Sequence, residues 1–136
     1  MKKISLMVFF LVLLIACQGD PLERLPEDYQ AYHVMPMHDK AAEVLHPHRL
    51  VTPERIVTSY AYFSNDDIEV IVDFYNQLFA DQGWEIVAES HRETRSTMRV
   101  EKGNFDVYIR ILPEHPDSGY QRSVIVEVNE EHEITE

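Results

Sequence analysis

A change of hydrophobic period in the middle of the chain constrains the fold most strongly. Apolar residues recur there at steps of three and four, a spacing that is typical of an amphipathic helix burying one face. Ser64 or Asn65 can cap the helix, acidic residues follow in its first turn, and Gly83 supplies a left-handed stop. The sequence therefore predicts a helix over residues 65–81. Its stripe consists of Ile68, Ile71, Val72, Tyr75, Leu78 and Phe79.

Period-two patterns on both sides of this helix predict strands. Residues 56–63 are rich in β-branched and aromatic side chains, and Gly103-Asn104 is a two-residue hairpin signal. A single helix on one face of a mainly antiparallel sheet is the economical way to bury both patterns. We therefore predict an α+β fold in the order β-α-β-β-β-β. The strands after the helix are expected at 84–89, 97–102, 105–112 and 120–129.

The first residues have the pattern of a bacterial export signal. Met1-Lys2-Lys3 is a short positive region, and residues 4–16 are apolar except for Ser5. This run fits the roughly 7–15 residues of a signal-peptide core and is shorter than the about 20 residues of a spanning helix. The following segment, Leu14-Ile15-Ala16-Cys17, resembles the lipobox of bacterial lipoproteins.

The lipobox resemblance implies that residues 1–16 are removed and that Cys17 carries a diacylglyceryl group and a further acyl chain such as palmitate. Gln18 in the second mature position implies sorting to the outer membrane, facing the periplasm, if the source has two membranes. An ordinary secretory signal and an uncleaved anchor helix remain alternatives. Because each buried methylene contributes about 0.8 kcal/mol, two or three acyl chains hold a protein stably on a bilayer. Cys17 is the only cysteine, which excludes disulfides and thiolate metal sites.

Charge and length limit the function classes further. Removal of Lys2 and Lys3 with the signal leaves 10 basic and 24 acidic residues, a formal net charge of −14. Such a chain repels nucleic acid and anionic headgroups. We interpret residues 17–54, which contain five prolines, as a lipidated tether and a lead-in segment with one helical turn at 40–45. Residues 55–130 form the single α+β domain, and 131–136 form a frayed acidic tail.

The domain also resembles a loose group of small bacterial envelope domains, many of them lipoproteins. The matching residues are Tyr60 to Ser64 at a strand end, Phe74-Tyr75 in the helix and Gly83-Trp84 opening the next strand. Phe79 stands where that group usually has leucine, so the helix motif departs from the common spacing. The resemblance covers residues 34–129. It implies architecture and no chemistry, because its residues belong to the core.

A methionine- and histidine-rich segment before the domain is a candidate copper site. Imidazole and thioether ligands together suit Cu(I), but the segment is broken by prolines and has no regular repeat. Solvated histidines and docking methionines are the alternative interpretation. The candidate ligands are His33, Met35, Met37, His38, His46 and His48.

No catalytic motif is present. His91, His115 and His132 fall in predicted loops or the tail, and His115 stands beside the carboxylates of Glu114 and Asp117. Neighbours on a turn do not point at one another, and nucleophile-elbow, zinc-protease and phosphate-loop motifs are missing. We therefore expect neither catalysis nor a cofactor.

The outer face of the sheet is the candidate partner site. Tyr108 and Arg110 are expected there, with Arg99 on a neighbouring strand, and arginine and tyrosine are enriched at interfaces. Arginines concentrate in the sheet half, whereas the helix region is acidic, so this face is less acidic than the rest. A plain solvated sheet with cross-strand ion pairs is the alternative. These arginines are Arg92, Arg95, Arg99, Arg110 and Arg122.

The sequence as a whole thus predicts a non-catalytic interaction or accessory module, anchored in the cell envelope through Cys17 and binding an envelope protein partner. A copper-binding lipoprotein that uses residues 33–48 is the alternative.

Overall fold

The α+β fold is confirmed by the structure, a computed structural model that describes residues 33–38, 40–45 and 47–132. One helix packs on a seven-stranded sheet in which every strand pair is antiparallel. Two short strands at the start were not predicted. The elements are β1 Glu43–Val44, β2 His48–Val51, β3 Arg55–Ser64, α1 Ile68–Gln82, β4 Glu85–His91, β5 Ser96–Lys102, β6 Phe105–Pro113 and β7 Arg122–Glu131, with a 3-10 turn at Pro116–Ser118.

The sheet has the strand order β1-β3-β7-β6-β5-β4, and β2 pairs with β3 beside β1. The hairpin predicted at Gly103 is confirmed, since Lys102 pairs with Phe105 and Gly103 has a φ of 59°. Among the described residues β4 pairs only with β5, so it forms one edge of this sheet. All seven residues of β4 are exposed.

The helix buries its predicted stripe against the sheet. Ile71, Tyr75 and Phe79 are almost fully buried and join the core cluster with the inward residues of the strands. Gly83 ends the helix with a φ of 75°, and its N–H donates to the Phe79 carbonyl, as predicted. The inward strand residues are Met98, Val100, Val107, Ile109, Ile111, Val124, Val126 and Val128.

The predicted start of the helix was wrong. Asp67 is the N-cap residue, and its side chain makes no capping hydrogen bond. Ser64 cannot be the N-cap residue because it still belongs to β3, where it pairs with Arg122. The side chain of Asn65 instead accepts a hydrogen bond from the Gln121 N–H at 3.1 Å, which ties the strand end to the loop before β7.

The lead-in segment docks on the domain as part of its fold. The helical turn expected at 40–45 is wrong, because Glu43 and Val44 pair with β3. At the other end β7 continues through Glu131, which pairs with Arg55, so the acidic tail does not fray there. Within residues 33–132, apart from the undescribed positions 39 and 46, no helix has the length and apolar character needed to cross a membrane.

Candidate functional site

The candidate copper ligands do not come together as one exposed site. Met35, Met37 and His38 are 0, 5 and 4 % exposed and pack against the domain. His33 and His48 are exposed on separate parts of the chain, and His46 lies outside the described residues. Among the residues that the structure describes, no group of three or more His, Cys, Asp or Glu side chains could hold a metal.

His38 belongs instead to a buried polar network beneath the helix. Its Nδ1 lies 3.0 Å from the Tyr62 hydroxyl, and its Nε2 lies 3.1 Å from Ser64 Oγ and 3.3 Å from Asp66 Oδ2. The Tyr62 hydroxyl in turn lies 2.7 Å from that of Tyr75. Because a buried polar group is costly without a hydrogen-bond partner, this network fixes the lead-in segment on the domain.

Two tyrosines of this network resist ionisation. Burial raises the pKa of Tyr62 well above its usual value, although its hydrogen bond with Tyr75 acts in the opposite direction. Burial also raises the pKa of Tyr75, and the neighbouring tyrosines Tyr62 and Tyr60 add to the increase. The hydroxyl of Tyr60 donates to the Met35 carbonyl and adds a further bond between the sheet and the lead-in segment. Copper binding through Met35, Met37 and His38 would therefore require this part of the core to open.

His91, His115 and His132 each contact different neighbours. His91 bridges Ser96 Oγ at 3.0 Å and Glu89 Oε2 at 3.2 Å along the sheet edge. His115 is the N-cap of the 3-10 turn, where its Nδ1 accepts from the Asp117 N–H at 3.2 Å. The N–H of His132 donates to the Glu54 carbonyl beyond the end of β7. Each of these histidines has a local structural contact.

The strand register brings the predicted partner residues together on the outer sheet face. Arg99 is directly opposite Tyr108, and Thr97 is directly opposite Arg110. Directly opposite side chains on one face of an antiparallel pair have Cβ atoms about 4.5–5.5 Å apart. The α-helix covers the other face, so this group of side chains lies on the side that no helix or strand of the described residues covers. Tyr108 is 38 % exposed, and Arg110 is exposed as well.

Arg99 is held in place by its neighbours on this face. Its guanidinium donates to both carboxylate oxygens of Asp106, at 3.0 and 2.9 Å, and to Glu101 Oε1 at 3.2 Å. The hydrogen bonds that Asp106 accepts from the guanidinium raise the pKa of Arg99. The guanidinium carbon also lies 5.3 Å from the Tyr108 ring centroid, within cation–π range. Arg99 therefore positions Tyr108, and its charge is already balanced.

Arg110 differs from Arg99, since no ion pair of its side chain is present among the described residues. It borders a hollow of about 270 Å³ across β4, β5 and β6. Ala88 of β4 stands opposite Arg99, and Ser90 stands opposite Thr97, so the outward residues of β4 complete its rim. The hollow is lined by Ala88, Glu89, Ser90, Thr97, Met98, Arg99, Tyr108, Ile109 and Arg110.

Two further arginines, Arg92 and Arg95, lie at the β4–β5 turn beside the predicted site. The Arg92 N–H donates to the Arg95 carbonyl at 2.8 Å, which closes the turn. A second, smaller hollow of about 230 Å³ is lined by both arginines and by Ser90 and Thr97, two residues that also line the first hollow. The register of β4 shifts between Ile86 and Ala88. A bulge of this kind has no clear sequence signal, which is why the β4 side of the site could not be predicted.

The predicted signal peptide, residues 1–16, and the predicted lipid site, Cys17, lie outside the described residues. A model of the START domain-like family matches residues 51–127, more than half of the chain. The match begins at the end of β2 and stops within β7, so it covers the helix and the outer sheet face. No curated protein and no solved structure matches the chain.

Proposed function

The chain belongs to the START domain-like family, and on this premise we propose that it is a lipid-anchored, non-catalytic interaction module of the cell envelope. Cys17 carries the acyl chains, and the tether that follows it, roughly residues 18–34, connects the membrane surface to the folded body. The outer sheet face binds an envelope protein partner through Tyr108 and Arg110, with Arg99 holding Tyr108 in position. If the source has two membranes, the module is attached to the outer membrane and faces the periplasm.

One observation carries the binding part of this proposal: the predicted aromatic and arginine residues converge on a single face of the sheet, the one opposite the helix. Tyr108 and Arg110 border the same hollow, and both belong to residue types that dominate binding energy at interfaces. Domains of this family are typically ligand-binding, which agrees with the proposed binding role. The anchor part is supported by the lipobox resemblance at Cys17.

Metabolic labelling tests the anchor. Cells grown with labelled palmitate should incorporate the label into the wild-type protein, which should fractionate with membranes. The Cys17→Ser variant should lose the label and leave the membrane fraction, because no acyl chain remains to hold it. An unlabelled wild-type protein that is released into the soluble fraction would refute the anchor.

Affinity capture tests the outer face. Tyr108→Ala combined with Arg110→Glu should abolish capture of the partner that the wild-type protein captures from crosslinked cells. The control is Leu50→Ala combined with Arg49→Glu, which truncates a large apolar side chain and makes the same charge reversal at exposed positions of β2. The control should capture the partner as the wild type does. Equal loss with both double variants would show that the effect is not specific to the outer face.

A further inference from the structure

We infer that the edge strand β4 carries half of a zinc site, which a second copy of the chain completes. Glu89 and His91 of each copy supply the four ligands, and the two β4 strands pair antiparallel around a two-fold axis at Ser90. The register of β4 pairs Glu89 and His91 with residues of β5 that are buried in the core, so the site lies on the helix side of the sheet. The inference goes beyond the proposed function and does not depend on it.

Glu89 and His91 present two ligand atoms at the spacing that zinc requires. Glu89 Oε2 lies 3.2 Å from His91 Nε2, and the two side chains are 47 and 37 % exposed. Adjacent ligands of a tetrahedral zinc ion, at bonds of about 2.0–2.2 Å, are about 3.3 Å apart. His91 Nδ1 lies 3.0 Å from Ser96 Oγ. When Nδ1 donates its proton to this hydroxyl, the lone pair of Nε2 is left for the metal, as is usual for metal-binding histidines.

One chain supplies too few ligands for a closed site. Structural zinc sites have four protein ligands, and within the described residues no group of three or more His, Cys, Asp or Glu side chains could hold a metal. The charge around His91 nevertheless favours a cation. The hollow of about 350 Å³ that His91 lines is bordered by three carboxylates and one arginine, namely Glu69, Asp73, Glu93 and Arg92. The missing ligands therefore come from another molecule.

The backbone of β4 is open for pairing at the same two residues. The Arg92 N–H donates to the Arg95 carbonyl at 2.8 Å, which makes this the last hydrogen-bonded pair before the turn. Such pairs alternate with non-hydrogen-bonded pairs along an antiparallel ladder, so Ser90 bonds back to β5. Glu89 and His91 then direct their backbone N–H and C=O groups to the edge. Backbone groups of this kind are a template for a further strand.

The register with Ser90 on the axis brings opposite charges together. It places Glu89 of each copy directly opposite His91 of the other copy. With Glu89 on the axis the two glutamates would face each other, and like charges directly opposite are destabilising. The bulge between Ile86 and Ala88 interrupts the strand before this point and confines the pairing to the last residues of β4.

In this register the four ligand side chains converge on the axis. Their Cα atoms form a rectangle of about 5.5 by 6.8 Å, set by the separation of a hydrogen-bonded pair and by two residues of strand rise. All four side chains project from the same face. A pairing this short is much smaller than a typical stable interface, which involves about 20–30 residues a side. The dimer therefore depends on zinc.

Sedimentation of the full-length protein in density-matched non-ionic detergent tests the inference. The protein should be monomeric in EDTA, and ZnCl₂ should convert it into a dimer that holds one zinc ion for two chains. His91→Ala and Glu89→Gln should each bind zinc at least about tenfold more weakly and stay monomeric, with an unchanged tryptophan spectrum as evidence of folding. His115→Ala is the matched control and should dimerise as the wild type does. It removes a histidine that also lies beside a carboxylate two residues away, but in the 3-10 turn.

Cysteine crosslinking tests the register. Ser90→Cys places two cysteines opposite each other in a non-hydrogen-bonded pair, with Cα atoms about 4.5 Å apart and within disulfide range. Oxidation with diamide in the presence of zinc should therefore link the two copies. Ala88→Cys is the control, because its two copies lie on either side of the axis, about 14 Å apart. It should not crosslink.

Three results would overturn the inference. The first is a monomer in saturating zinc, whether or not the metal is bound. The second is a dimer that persists in EDTA or in the His91→Ala variant. The third is equal crosslinking at positions 88 and 90. Each of these results leaves the proposed function standing, because partner capture through Tyr108 is measured separately.

Discussion

The hydroxyl of Tyr62 is a sensitive point of the fold, because it joins the lead-in segment to the helix. Tyr62→Phe keeps the ring and removes contacts of 3.0 Å to His38 Nδ1 and 2.7 Å to the Tyr75 hydroxyl. His38 and Tyr75 are both buried, so each loses a partner that water cannot replace. Leaving a buried polar group unsatisfied costs about 1–3 kcal/mol. With two groups affected, we expect the free energy of unfolding to fall by about 2–6 kcal/mol.

Urea unfolding followed by tryptophan fluorescence measures this change, with the slope of the transition as a check on two-state behaviour. Tyr120→Phe is the matched control, since it removes a hydroxyl whose bond to Glu43 Oε2 at 3.1 Å is exposed. The control should cost less than about 1 kcal/mol. If Tyr62→Phe unfolds within about 0.5 kcal/mol of the wild type, the network does not fix the lead-in segment.

The remaining predictions concern the same part of the core and the copper alternative. Met35→Ala should lower the free energy of unfolding by about 2–5 kcal/mol in urea, because this methionine is fully buried; a change below about 1 kcal/mol would place it outside the core. The pKa values of Tyr62 and Tyr75 are raised in the folded protein, whereas tyrosines of the unfolded chain have a pKa of about 10. Above about pH 10 the unfolded chain therefore loses these two protons while the folded protein keeps them. The free energy of unfolding should therefore be unaffected by these tyrosines below about pH 10. Above that pH it should fall by up to about 1.4 kcal/mol per pH unit for each tyrosine. Thermal unfolding from pH 8 to 11 checks this, and a flat profile would contradict the raised values. Cu(I) that binds through Met35 and His38 should lower the unfolding temperature, because it binds the opened chain; a raised temperature would instead reveal a copper site in the folded protein.

The α+β class, the helix stripe and the inward strand residues were predictable because each depends on a local period. Ile71, Tyr75 and Phe79 recur at helical spacing, while Val124 and Val126 alternate along β7, and burial follows directly from these patterns. The Gly83 stop was predictable for a similar reason, since a left-handed residue after an apolar stripe strongly favours glycine.

The role of residues 33–51 was not predictable, because it depends on contacts distant in sequence. His38 meets Tyr62 across 24 positions, and Tyr60 meets Met35 across 25. The same side chains in isolation resemble metal ligands. The prolines of the segment interrupt any strand pattern in the sequence, and β1 has only two residues.

The candidate site was predictable on β5 and β6, where strict alternation places Arg99, Tyr108 and Arg110 outward. The sequence could not show that the charge of Arg99 is balanced, because its ion pair with Asp106 depends on the side-chain geometry across the β5–β6 hairpin. The position of Ser90 in the site depends on the register of β4 after its bulge, for which the sequence has no clear signal.

Photo-crosslinking in intact cells tests the central claim most directly. A benzoylphenylalanine replaces Tyr108 on the outer face or, as a control, Val70 on the exposed side of the helix, which is 48 % exposed. We expect a discrete protein adduct from position 108, none from position 70, and none from position 108 when Cys17 is changed to Ser. Adducts of equal yield from both positions, or none from position 108 in the lipidated protein, would contradict a membrane-anchored module that binds its partner through the outer sheet face.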